Sequence, residues 1–74
     1  KKGADINKST NNGVTPLYIA SQKGYLEIVK LLIKNGSDIN KSINDGITAL
    51  MIASYEGHKE IVLILLTFCH KNKS

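Results

Sequence analysis

The chain has no arginine and no tryptophan, a single cysteine, a single proline and only four aromatic rings in 74 residues. Each shortage narrows what the protein can do. All ten basic residues are lysine, so the net charge of +4 comes without the guanidinium forks that read base edges. Three Tyr and one Phe, spread apart, give no platform for stacking single strands. The positive charge raises nucleic acid or anionic lipid as a partner, and these absences disfavour it. One cysteine excludes an internal disulfide, and nothing else suggests an oxidising compartment. The longest strongly apolar run, Ile61 to Leu66, falls far short of the ~20 residues that span a bilayer. With no secretory leader pattern either, the expected setting is cytosolic or nuclear.

What the chain has in abundance is self-similarity. Residues 1–33 laid over 34–66 coincide at 19 positions, and the coincidences fall on apolar, glycine and turn residues. Leu17 returns as Leu50, Ile19-Ala20-Ser21 as Ile52-Ala53-Ser54, Gly24 as Gly57, Ile28-Val29 as Ile61-Val62 and Leu32 as Leu65. A period of this length means that one structural unit is being stacked, each copy burying its apolar surface on its neighbours.

Within one period the local signals are ordered. Asn11, Asn12 and Gly13 suit a tight turn, because Asn and Gly tolerate left-handed backbone. Thr15 then offers its hydroxyl to the free amides of a first helix, with Pro16 where a missing N–H costs nothing. That helix is predicted over Pro16 to Lys23, with Leu17, Ala20 and Ser21 inward and Gly24 permitting the reversal. A second helix, about Leu26 to Lys34, is apolar nearly all round except for a stripe of Glu27, Lys30 and Lys34, so it must be covered on several sides. Gly36 ends it, and Lys34 complements its C-terminal dipole. The second copy predicts a turn at Asn44, Asp45 and Gly46, a helix from Ala49 to Glu56 and another from Lys59 to about Phe68. Beyond it Cys69 stands where a stop glycine is due, and the pattern dissolves into a polar tail.

At Thr15, Pro16, Leu17 and Ala20, and more loosely at Thr48, Leu50 and Ala53, the chain resembles the ankyrin repeat with its T-P-L-H-x-A stretch. The later features agree: Gly24 and Gly57 after the first helices, an I-V-x-L-L-like second helix, and a G-A-D-x-N-like exit at Gly3–Asn7 and Gly36–Asn40. Tyr18 and Met51 replace the motif His, and Ala49 the second motif Pro. The resemblance implies an all-α helix-turn-helix solenoid with projecting β-turn or hairpin loops. Its implied divisions are the tail of a preceding repeat (1–11), one repeat (12–44) and a repeat with a degenerate end (45–74). Such a chain is expected to be a piece of a longer array.

The same resemblance implies a module that binds another protein, with the usual contact positions at Asn11, Asn12, Val14, Gln22, Lys23 and Asn35. One repeat on, these become Asn44, Asp45, Ile47, Tyr55, Glu56 and Phe68. The rivals are a structural spacer within a larger protein and a basic surface for nucleic acid or anionic lipid. In the second copy the stripe residue Lys30 becomes Leu63, which by register projects outward near Phe68. That end is therefore expected to be covered, either by a further repeat of the array or by self-association through Leu63 and Phe68; a lone exposed Leu, which needs no explanation, is the alternative.

Other chemical signals reduce to ordinary structure. Asp38, Asn40 and Ser42, like Asp5, Asn7 and Ser9, alternate as calcium-loop ligands do. The required Gly at the sixth position is Ile43 or Thr10, and the required Glu at the twelfth is Ala49 or Pro16. Carboxylates bonding to loop backbone explain them better. Four N-x-S/T matches, at Asn7, Asn35, Asn40 and Asn72, carry meaning only in a secreted protein. Two His and one Cys without ligand spacing make no zinc site, and His58 reads as structural. Cys69 adjoins His70, but adjacency in sequence is not an activating geometry. No catalytic residue, metal or cofactor is expected; Ser21 and Ser54 read as small spacers between helices.

Overall fold

In the computed structural model the backbone is described for residues 7–72 and side chains for residues 7–68. The exit of a preceding repeat expected at Lys1–Asn7 lies, apart from Asn7, outside the described residues, as do the side chains of Cys69 and His70. Four helices follow in order: α1 (Pro16–Lys23), α2 (Leu26–Lys34), α3 (Ala49–Glu56) and α4 (Lys59–Asn72). Local chemistry sets their starts and stops. The Tyr18 N–H donates to Thr15 Oγ1 at 3.1 Å, and the Met51 N–H to Thr48 Oγ1 at 3.2 Å, so each first helix has one orphan donor satisfied by a threonine cap. Both first helices end in a left-handed glycine, Gly24 at φ 82° and Gly57 at φ 79°. The amides beyond, Tyr25 N–H to Ala20 O and His58 N–H to Ala53 O, then close the helix end.

Each helix pair packs on itself and on the other: α1 lies against α3, and α2 against α4. Leu17, Ala20, Val29, Ile39, Ala49, Ala53, Ile61 and Leu65 form one continuous buried cluster. Small residues at Ala20, Ala49 and Ala53 allow the first helices to approach closely, while Val29, Ile61 and Leu65 supply the bulk. Burial of each larger side chain is worth about 1.5–3 kcal/mol. The cluster spans both repeats, so neither pair holds a core of its own.

Three expectations need correction. α4 does not stop near Phe68 but continues to Asn72. In α2 the chain leaves the helix through Gly36 at φ 96°. A cysteine stands at the matching position, where a left-handed exit would be strained for any residue but glycine, and the helix runs on through it. Second, α2 is covered by α1 and α4 but not beyond them: Val29 is its one buried residue, Ile28 and Leu31 are exposed, and Leu32 is half-buried. Only one repeat, on one side, lies against it among the described residues. Third, the two serine spacers differ, for Ser21 is sealed within the joint whereas Ser54 faces solvent.

Candidate functional site: the face of first helices and turns

Two turns project beside α1 and α3, and their backbone makes them rigid. In the first, Thr10 N–H donates to Val14 O at 2.9 Å, and Thr10 Oγ1 accepts from the amides of Asn12 and Val14. In the second, Ile43 N–H donates to Ile47 O at 2.9 Å, and an antiparallel bridge joins Ser42 to Thr48. The turns are also tied to each other. Asn44 N–H donates to Asn12 O at 2.8 Å, and Asn44 Nδ2 to Asn11 O at 3.0 Å. A Cβ on Gly13 would stand 3.0 Å from Asn44 and Ile43 atoms, so this close approach requires glycine, which is also at φ 86°. Turns tied in this way hold their exposed side chains at fixed spacing.

The helices below are registered by a second set of bonds. His58 Nε2 lies 3.0 Å from Gln22 O; since a carbonyl only accepts, that nitrogen carries the proton. At the far side of the loops, Asp38 N–H donates to Asn7 Oδ1 at 2.6 Å. The Asp38 carboxylate itself accepts from Asn40 N–H at 3.1 Å, an Asx turn. That contact accounts for its place in the loop without a cation. Among the described residues no group of three or more His, Cys, Asp or Glu lies together to hold a metal ion.

The expected contact residues are placed as follows. Asn11, Asn12, Lys23, Asn44, Asp45, Glu56 and Tyr55 are exposed, whereas Val14, Gln22 and Ile47 are half-buried. Asn12, Val14, Asn44 and Asp45 line one cleft of about 310 Å³ between the turns, together with Tyr18 and Ile43. Ile47 and Tyr55 line another of about 310 Å³ with Met51 and Ile52. Two residues stand apart. Asn35 is exposed, but its side-chain amide is spent on Leu31 O at 2.8 Å, closing the end of α2. Phe68 belongs to α4, away from the turns.

One contributor escaped sequence reasoning. Met51 occupies the motif His position and was assigned no role, yet it is 54% exposed beside Tyr55 at 84%. The spacing offered a signal, because Met51 and Tyr55 lie four residues apart on α3 and so share a face, with Ile47 just before the helix. In the first repeat the same three positions are Val14, Tyr18 and Gln22, and Tyr18 is buried. The face therefore grades from polar at α1 to apolar at α3.

Among the described residues no helix is long and apolar enough to cross a membrane. The family model for ankyrin repeats in three copies matches residues 1–74. The potassium channel AKT1 of Arabidopsis thaliana is 56% identical over 34 residues, which is 46% of this chain and 4% of the channel.

Proposed function

The chain belongs to the ankyrin repeat family, whose repeats are in general non-catalytic protein–protein interaction modules, and from that premise we propose that it binds a partner protein on the face of turns and first helices. The observation that carries this reading is the apolar groove of Ile47, Met51, Ile52 and Tyr55, open beside two turns that hydrogen bonds hold in place. An exposed Tyr provides large contact area for little conformational entropy, and Met adapts to the shape of what it meets. Asp45, two residues before Ile47, and Glu56, next to Tyr55 in sequence, are exposed and would add acidic polarity to the surface. The match to one channel spans so little of that protein that its activity is not carried over. An intracellular setting is part of the same proposal.

Capture of a partner from extract on the immobilised chain, followed by titration of variants, tests it. Tyr55→Ala and Met51→Ala together should weaken the captured partner by about 2 kcal/mol, roughly thirtyfold, as loss of an interface anchor does. Gln22→Ala should matter less. Thermal stability should stay within about 0.5 kcal/mol. A partner that ignores both Tyr55 and Met51 would move the site elsewhere, and binding that falls steeply with salt would favour a phosphate-bearing ligand instead. A chain that captures nothing would favour a spacer. A second reading, self-association at α4, is favoured by the exposure of Leu63 at 63% and of Phe68.

A further inference from the structure

Charge is unevenly spread over a chain that carries +4 in all. The second turn and α3, within residues 42–58, hold two carboxylates, Asp45 and Glu56, and no lysine. The same stretch of the first repeat, residues 9–25, holds Lys23 and no acid. The reversal falls at matching positions: one repeat earlier, Asp45 is Asn12 and Glu56 is Lys23. Where the face turns apolar it also turns acidic, against the sign of the whole protein.

Spacing ties each acid to the apolar groove of Ile47, Met51, Ile52 and Tyr55. Glu56 follows Ile52 by four residues on α3, so the two share a side of the helix. Asp45 precedes Ile47 by two residues and lines the cleft between the turns, where it is the one charged residue of the lining. Both acids are exposed. Among the described residues neither makes an ion pair, whereas Glu27 on α2 pairs with Lys30 at 3.7 Å. The groove itself is almost wholly apolar and holds about 310 Å³, the small end of the ~300–1,000 Å³ of small-molecule sites. A groove of this size and lining takes one large apolar side chain.

Resting on the reading that this face binds a protein, we propose that the partner presents a basic segment: one large apolar side chain for the groove, with Lys or Arg a few residues from it to meet Glu56 and Asp45. Charge complementarity selects this occupant. Exposed carboxylates beside an apolar contact attract cations and repel acids, and such charges govern association rate and choice of partner more than total affinity. An acidic segment is drawn to the chain by its overall +4 and turned away at this face. The first repeat has Asn12 and Lys23 at the matching positions, and Gln22 in place of Tyr55. It does not share the preference, so the basic segment belongs at α3 and not at α1.

Selection of a phage-displayed library of random peptides on the immobilised 74-residue chain tests it. Net charge alone would enrich acidic peptides, whereas this proposal expects peptides that place Lys or Arg near an aromatic or aliphatic residue. The most enriched peptide, made synthetically, should bind the Asp45→Asn, Glu56→Gln chain about fivefold more weakly than wild type, chiefly through slower association. Glu27→Gln with Glu60→Gln removes the same charge from the second helices and should leave binding almost unchanged. All four positions are exposed, and Asn already holds the Asp45 position in the first repeat, so each chain should fold; circular dichroism checks it. Enriched peptides that are acidic or uncharged overturn the proposal. So does a peptide that both pairs of substitutions affect equally, or one that binds the Asp45→Asn, Glu56→Gln chain more tightly. If such a peptide still depends on Met51 and Tyr55, the groove stands as the site and only its basic occupant falls. Binding that ignores Met51→Ala with Tyr55→Ala, or a library that yields no peptide, removes the groove as the site and the proposal with it.

Discussion

Ser21 and Ser54 occupy the same place in the same helix of two repeats, and one is sealed in protein while the other lies in water. The comparison extends along the whole unit. Ile28 is 46% exposed and Ile61 2%; Val29 is buried and Val62 only half so; Leu32 is half-buried and Leu65 fully. The first repeat buries the side that faces forward along the chain, and the second buries the side that faces back. Residue type therefore does not decide burial here. Every repeat carries two apolar sides, and a side is buried only where a neighbour stands against it, as expected when stability is a sum of interface terms.

The largest test of that contrast lies in the second helices. Leu65→Ala should cost about 2–5 kcal/mol, the usual range for a core leucine, whereas Leu32→Ala should cost less because it already meets solvent. Urea denaturation of the pair would show it, and equal losses would break the contrast. Next come the two reversal glycines. Gly57→Ala should cost about 1–2 kcal/mol for its left-handed backbone alone. Gly24→Ala should cost a further 1–3 kcal/mol, because its methyl is driven into the His58 ring. Adding His58→Ala to Gly24→Ala should recover that further loss, and the same addition to Gly57→Ala should recover nothing.

The smallest effect has the opposite sign. Ser21 Oγ is buried without a hydrogen-bond partner, so Ser21→Ala should stabilise by about 1 kcal/mol, removing a desolvated hydroxyl and improving the helix. Ser54→Ala should gain only the helix propensity, less than about 0.5 kcal/mol. Thermal melts of the two variants would sharpen the comparison. Identical shifts would mean that Ser21 loses nothing by being enclosed.

Helix limits were legible wherever a local rule with one solution applied. Thr15 before Pro16, and Gly24 or Gly57 at the reversal, leave little freedom, and α1, α2 and α3 begin and end where those residues direct. The end of α4 was not legible, since a missing stop glycine says where a helix need not end, not where it does. In the candidate site, exposure of Tyr55 and of the turn residues followed from register. Met51 did not, because its slot normally holds a motif His and its neighbours had first to be placed. Nor did Asn35, whose amide is committed to Leu31 O through a rotamer that no spacing implies.

The sequence by itself determined the period, the caps, the turns and the two apolar sides of each unit, because these depend on residues within a few positions of one another. The tertiary structure decided which of the two sides is filled, that the His58 ring covers Gly24 while Gly57 stays open, and that Ile47, Met51 and Tyr55 share one groove. Those outcomes depend on what stands across an interface, and an interface is made by residues a full repeat apart.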